Sequence, residues 1–236
     1  MSVIVDKCAD NEVFSTLKKL NVNYFTSCSL DFLYTPVNTH PDMQIHFIDK
    51  KTAVVAPSAY PHYKNILPGS ITLIKGNCDP GSTYPHDCAY NVAKLGKKII
   101  GNLSYTDTKI KDLYSQKGYE FIDVKQGYTK CNLCIIDENS VITEDVGLFK
   151  QLTRKNINVL KINAGFVELK DFNNGFIGGA TGFVANKNLA FCGNLNEHPD
   201  RVKIENFINS KQVDITYLSS TNLKDFGSIL YFDDNF

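Results

Sequence analysis

Tryptophan is absent from this sequence, so Tyr and Phe carry all of its aromatic character. An excess of either charge is also missing: 25 basic residues stand against 25 acidic ones, for a formal net charge of +0. With no basic stripe and no acidic tail, a nucleic acid or a strongly cationic partner is not expected. No run of about 18 apolar residues occurs, so no membrane-spanning segment is expected. The opening Met1-Ser2-Val3-Ile4-Val5-Asp6 lacks the basic start and apolar stretch of a signal peptide. Seven cysteines, an odd number and scattered, read as reduced thiols of a cytoplasmic protein rather than as a disulfide framework. Neither a linker nor a low-complexity tract interrupts the 236 residues, which read as one domain over 1–236. A chain of this length buries roughly 70–75% of its unfolded surface and needs no metal or disulfide to fold.

What is present is repetition. Gln44–Ile48, Ala89–Ala93, Asn132–Ile136 and Thr181–Ala185 are short strand-like runs, each followed by a turn rich in Asp, Asn, Lys or Gly. The second runs are Thr52–Ala56, Lys98–Gly101, Ser140–Thr143 and Leu189–Cys192. Two apolar runs joined by such turn residues predict hairpins, about 45 residues apart.

A helix pattern and a third strand-like run follow each hairpin. Thr106 is expected to cap a helix with Ile110, Leu113 and Tyr114 on one face, ended by Gly118. Thr143, with Glu144 and Asp145 in the first turn, is expected to start one carrying Val146, Phe149 and Leu152. Pro199 suits a first helical position ahead of Ile204, Phe207 and Ile208, and Tyr60 to Leu67 is a shortened helix. Near the start, Asp10 is read as the cap of a helix that buries Val13, Leu17 and Leu20. The last run, Ser228–Phe232, lacks a partner, and Val3–Val5 lacks a first strand. Joined, the two ends make a fifth unit. The sequence therefore predicts an α/β fold of five ββαβ units, a pseudosymmetric propeller whose ring is closed by the N- and C-terminal segments and leaves no exposed edge there.

In such an array the segments leading into the first strands converge on the axis. They read His40-Pro41-Asp42, Tyr84-Pro85-His86-Asp87-Cys88, Gly127-Tyr128-Thr129-Lys130-Cys131, Gly175-Phe176-Ile177-Gly178-Gly179 and Lys224-Asp225-Phe226-Gly227. His, Asp, Lys and Cys concentrate where a plain core would be apolar.

Five such units resemble the guanidine-modifying, or pentein, superfamily, which includes arginine and agmatine deiminases, dimethylarginine hydrolases and amidinotransferases. His40-Pro41-Asp42 is similar to that family's His-x-Asp segment, Gly127 to Asn132 to the approach to its nucleophilic Cys, and Asp225 stands where it places an acid. The units occur in a circularly rotated order. The resemblance implies a Cys-dependent hydrolase or amidinotransferase acting on a C–N bond of a guanidine or amidine compound. It assigns Cys131 as nucleophile, His40 as acid/base and Asp225 as their acid. Asp42, His86, Asp87, Asn91, Lys130, Gly178 and Gly179 fall in the substrate-binding set, with Lys130 or His40 favouring the thiolate. A small-molecule substrate is implied, with no cofactor and no resident metal. One departure stands out: the unit after the Cys unit offers Gly178, Gly179 and Thr181 in place of a further carboxylate.

Other readings stay open. Cys131 and Cys134 form a C-x-x-C with no second half for zinc, and Cys134 alternates with Ile136 as a core residue would. The segments at His40-Asp42 and His86-Asp87 could together hold a metal. His46 either lines the pore or is a satisfied core His, and His198-Pro199-Asp200 reads as a helix start. Gly178-Gly179 lacks the Lys, Ser/Thr and helix of a phosphate loop, so close backbone approach is the better reading. A non-catalytic binding protein of the same architecture, for a small ligand, a metal or a macromolecule, is the alternative function. The neutral charge disfavours a ribosomal surface.

Overall fold

The computed structural model describes residues 2–234, so Met1 and residues 235–236 of the expected domain lie outside it. The chain opens with β1 (Ser2–Val5), α1 (Asn11–Lys19) and β2 (Asn23–Thr26). It continues through β3 (Ile45–Asp49), β4 (Thr52–Val55), α2 (Tyr60–Ile66) and β5 (Thr72–Lys75). A third stretch holds β6 (Ala93–Leu95), β7 (Lys98–Gly101), α3 (Thr108–Gln116) and β8 (Glu120–Asp123). The fourth begins with the single turn α4 (Thr129–Asn132), then β9 (Cys134–Ile135), β10 (Ser140–Thr143), α5 (Val146–Arg154) and β11 (Asn158–Lys161). After β12 (Val167–Glu168) come β13 (Thr181–Ala185), β14 (Asn188–Phe191), α6 (Arg201–Asn209) and β15 (Asp214–Tyr217), and then β16 (Leu223–Lys224) and β17 (Leu230–Phe232).

Five three-stranded sheets share one pattern: the first strand is antiparallel to the middle one, and the third is parallel to it. In four of them the strands follow each other along the chain. In the fifth, β17 pairs with β1, Ser2 opposite Phe232 and Ile4 opposite Leu230, so both chain ends share a sheet. A parallel connection needs a crossover, and a helix supplies it each time. A sixth, two-stranded parallel sheet pairs β12 with β16.

The middle strands are apolar runs because both of their faces are covered. Val3, Ile4, Val54, Val55, Ile99, Ile100, Val141, Ile142, Ala190 and Phe191 are all at 0% exposure. Four helices each bury a pair of side chains one turn apart: Val13/Leu17, Ile110/Tyr114, Leu148/Leu152 and Ile204/Ile208. Four helices also end before a left-handed residue that redirects the chain into the third strand: Asn21, Gly118, Asn156 and Gln212, with φ of 55°, 67°, 58° and 56°.

Several expectations shift. The first strand of the second repeat begins at Ala93, not Ala89, because Ala89 and Tyr90 are buried by a turn that packs against the core. Asn132 ends the α4 turn and Leu133 is its C-cap, so β9 keeps only Cys134 and Ile135 of the expected strand. The cap of α3 is Asp107, whose carboxylate accepts from Lys109 N at 2.8 Å, not Thr106. Thr143 ends β10, and Asp145 caps α5 by accepting from Leu148 N at 2.7 Å. Pro199 lies ahead of α6, whose N-cap is Asp200. Asp10 holds the N-cap position of α1, but its side chain accepts from Lys224 Nζ instead of from the helix. Leu20, one residue past α1, and Val146, the first of α5, are exposed because helix-end positions point away from the buried stripe.

Candidate functional site

Every segment that leads into a first strand ends near the others. A short 3₁₀ turn, Pro41–Met43, follows His40 and aims Asp42 inward. The α4 turn carries Cys131, and the loop after β16 carries Asp225. The reactive atoms of His40, Cys131 and Asp225 lie within 4.8 Å of one another, although their residues span 185 positions of the chain.

The thiol is enclosed at 4% exposure. It donates to Asp42 Oδ2 at 3.0 Å and accepts from Asn91 Nδ2 at 3.1 Å. Asn91 is held in place because its Oδ1 accepts from the backbone N–H groups of Lys130 and Cys131, at 2.7 and 3.2 Å. Asp42 Oδ2 also accepts from Ser228 Oγ at 2.8 Å, while its Oδ1 is buried with no partner among the described residues. The His40 ring sits between two carboxylates: Nδ1 is 3.9 Å from Asp225 Oδ1, and Nε2 is 3.9 Å from Asp6 Oδ2. Asp225 is fixed by the N–H groups of Phe176 and Gly227, at 3.0 and 2.9 Å.

Backbone geometry makes this closeness possible. Gly227 and Ser228 are consecutive left-handed residues, φ 67° and 71°, and a side chain at Gly227 would strike His40. Ser228 holds that conformation as a non-glycine residue and turns its hydroxyl onto Asp42, a strained position of the kind that concentrates at functional sites. Gly178 passes against the carbonyls of Lys130 and Cys131, where a Cβ would come within 2.5 and 2.6 Å, and a Cβ at Gly179 would collide with the Asp225 carboxylate. Gly179 N donates to Cys131 O at 2.8 Å. Both glycines therefore shape the site by close approach, as their sequence context suggested.

Four carboxylates crowd this region. Burial pushes Asp225 and Asp6 above the usual carboxylate range, each opposed by His40. Glu144, directly after β10, is buried with both oxygens unpartnered among the described residues. Burial, aided by the charge of Asp225, pushes its pKa up to about 8. Burial and the charges of Asp42 and Asp225 push the Cys131 thiol well above its ordinary value. As enclosed here, the thiol is a protonated donor, and a positive charge placed among these acids would reverse that preference. Imidazole, thiol and carboxylate at this spacing also form a donor set that suits a metal such as zinc.

Not every candidate joins the cluster. His86 is exposed, its ring edge-on to Tyr105 at 5.0 Å. That placement removes it from the alternative metal pair with His40 and Asp42. Asp87 is buried and accepts from Tyr128 Oη at 2.5 Å and from Cys88 Sγ at 3.2 Å, so it anchors the segment before Cys131. Lys130 reaches Ser228 Oγ at 2.9 Å instead of the thiol. Cys134 is a core residue, and His46 is a satisfied core His, paired with Tyr114 Oη at 2.8 Å and pushed down to about 3 by burial. The sequence reading missed Asp6, Glu144 and Ser228. Asp6 and Glu144 both follow the middle strand of their unit, a register that aligning the repeats would have exposed.

Two cavities flank the cluster. One of about 600 Å³ is lined by Asp6, Thr39, His40, Asp225 and Phe226, among others. The other, about 690 Å³, runs along the first strands and reaches Asp42 and Lys130. No helix among the described residues is long and apolar enough to cross a membrane.

The fold has counterparts among solved structures. Dimethylarginine dimethylaminohydrolase (DDAH) from Pseudomonas aeruginosa, complexed with citrulline, matches with a TM-score of 0.53 at 8% identity, over 92% of this chain and 91% of that one. The amidinotransferase of saxitoxin biosynthesis from Microseira wollei matches at 0.54 and 12% identity, over 88% and 73%. The agmatine deiminase of C. jejuni with substrate bound matches at 0.53 and 12%, over 92% and 76%. No curated protein matches the chain by sequence. Such low identities speak for the fold, which is that of the guanidine-modifying enzymes. A family described as "Family of unknown function (DUF6873)" matches residues 4–230, and this chain belongs to it.

Proposed function

We propose that this chain is a thiol-dependent enzyme that cleaves or transfers at a C–N bond of a guanidine or amidine compound. In the same reading the five like sheets stand around an axis as a propeller closed where β17 meets β1, which brings Cys131, His40 and Asp225 together. The carrying observation is the set of buried carboxylates around one thiol, with Asp42 Oδ1 left without a partner. An unpaired buried carboxylate oxygen is costly, and a planar amidinium offers the matching pair of donors.

Bound between Asp42 and Asp225, the cation would offset the charges that keep the thiol protonated. Cys131 would pass its proton to His40, and the thiolate would attack the amidine carbon and form a C–S bond. His40 would give its proton to the departing amine as the C–N bond breaks. Water deprotonated by His40 would then attack the thiouronium or thioimidate carbon, and breaking of the C–S bond would return the sulfur to Cys131, or a second amine would take the place of water in a transferase. Asp225 and Asp6 would orient the imidazole. The relatives named above act on or bind citrulline, agmatine and dimethylarginine by their names, in line with this substrate class.

Incubation with 2-chloroacetamidine, followed by peptide mass spectrometry, tests the reading. Cys131 should be labelled faster than the exposed Cys8 and faster by the amidine than by neutral chloroacetamide. Labelling of Cys131 no faster than of Cys8 or Cys192 would overturn it. The enclosed thiol and the N, S, O donor set favour a second reading, a binding protein that holds a metal at His40, Cys131 and Asp225. Stoichiometric metal in protein purified without chelator would support that one.

A further inference from the structure

The cavity that runs along the first strands is built differently from the acidic cluster. Its walls are apolar: Ile45 and Phe47 from β3, Ile135 from β9, Phe183 from β13, and Ile229 and Leu230 at β17. Five lysines line it, Lys50, Lys94, Lys130, Lys187 and Lys211, against three acids, Asp42, Asp137 and Glu138. Among the described residues none of the five is in an ion pair. Lys94 donates to Ile48 O at 2.8 Å and Lys130 to Ser228 Oγ, while Lys50 and Lys211 lie over the rings of Tyr231 and Phe207. In a chain with equal numbers of both charges, five lysines against three acids leave this cavity a local excess of positive charge.

We infer that this cavity is a second ligand site, for a small organic monoanion with an apolar body, of which a medium-chain carboxylate is the type. About 690 Å³ lies within the range of small-molecule sites, which are mostly apolar with a few charged groups. The apolar walls exclude a wholly polar anion such as free phosphate, which would leave them wetted. The acids Asp137 and Glu138, which line the same cavity, disfavour a polyanion. The carboxylate would meet Lys50 and Lys187, at the hairpin turns, with the hydrocarbon lying along the strands. The contacts of this ligand need no chemistry at Cys131, although the inner end of the cavity reaches Asp42, which holds the thiol.

Because the chain has no Trp, Phe183→Trp places a lone reporter in the wall. Titration of that variant with octanoate should give a saturable emission change, and calorimetry of the unsubstituted chain should give one site per chain. Octan-1-ol should bind at least about tenfold more weakly. The double variant Lys50→Gln/Lys187→Gln should weaken octanoate by about tenfold or more, while Lys18→Gln, outside the cavity, should leave it unchanged. No saturable binding of octanoate to the unsubstituted chain, equal affinity for octanol, or an unaffected double variant would each overturn the inference.

Discussion

Around Cys131, Asp6, Asp42, Glu144 and Asp225 surround one imidazole and one thiol, all buried. Along the strands that leave this cluster, five lysines face a cavity and none is ion-paired among the described residues. The two regions share strands and even a residue, since Asp42 touches both. They differ in which end of the strand supplies the side chains. The leading segments bring His40, Asp42, Cys131 and Asp225, and Asp6 and Glu144 follow the antiparallel middle strands at that same end, whereas Lys50 and Lys187 come from the hairpin turns. Alternation along a strand cannot separate charges this way; position along the repeat does. The acid cluster is also desolvated, so its charges act through low dielectric, while the lysine side opens to water and is screened.

That contrast can be broken at several points. The largest effect should come from Glu144. Burial pushes its folded pKa up to about 8, above the ordinary 4.5, so the folded state keeps a proton the unfolded chain has lost. Its contribution is fully present below about pH 4.5 and is lost as pH rises toward 8, with stability falling by up to roughly 1.4 kcal/mol per pH unit in that window. Denaturation at pH 5 and pH 8 should show the fall, and Glu144→Gln should flatten it. A slope unchanged in the variant would place the titration elsewhere.

Gly179→Ala comes next. The added methyl meets the Asp225 carboxylate, so a loss of ~1–3 kcal/mol is expected, together with slower amidine labelling of Cys131. Asp42→Asn should leave the fold in place but lower the preference of Cys131 for chloroacetamidine over chloroacetamide by roughly 10- to 100-fold, the worth of a charged hydrogen bond. A ratio that does not change would mean that the acids do not recognise the cation. The smallest effect sharpens the comparison as a control. Arg201→Ala breaks the exposed ion pair with Glu205 on α6, away from both regions, and should cost no more than ~0.5 kcal/mol by thermal denaturation with labelling and octanoate binding unchanged.

Much of the architecture was legible because strand and helix faces follow strict periods. Val54-Val55, Ile99-Ile100 and Val141-Ile142 are buried on both sides and read as apolar runs, and the helix pairs four residues apart read as stripes. The pairing of Leu230–Phe232 with the first strand followed from counting incomplete units. The site was legible in part: His40, Asp42, Cys131 and Asp225 do meet, and Asn91 touches the thiol. His86 lies outside the cluster because a neighbouring Asp in a like segment says nothing of which side chain turns inward; the Asp is buried and the His is exposed. Glu144 was misread because an acid at a helix start has an ordinary explanation in the helix dipole, and only its burial beside Asp225 sets that aside.

The sequence alone determined the repeat, the turns and the residue types delivered to each unit, since these depend on local periodicity and turn chemistry. Tertiary structure alone decided which thiol is enclosed by acids, that Lys130 serves Ser228 and not Cys131, and that the lysines gather on one cavity. Those outcomes depend on distances across the fold and on exclusion of water, which no local pattern encodes.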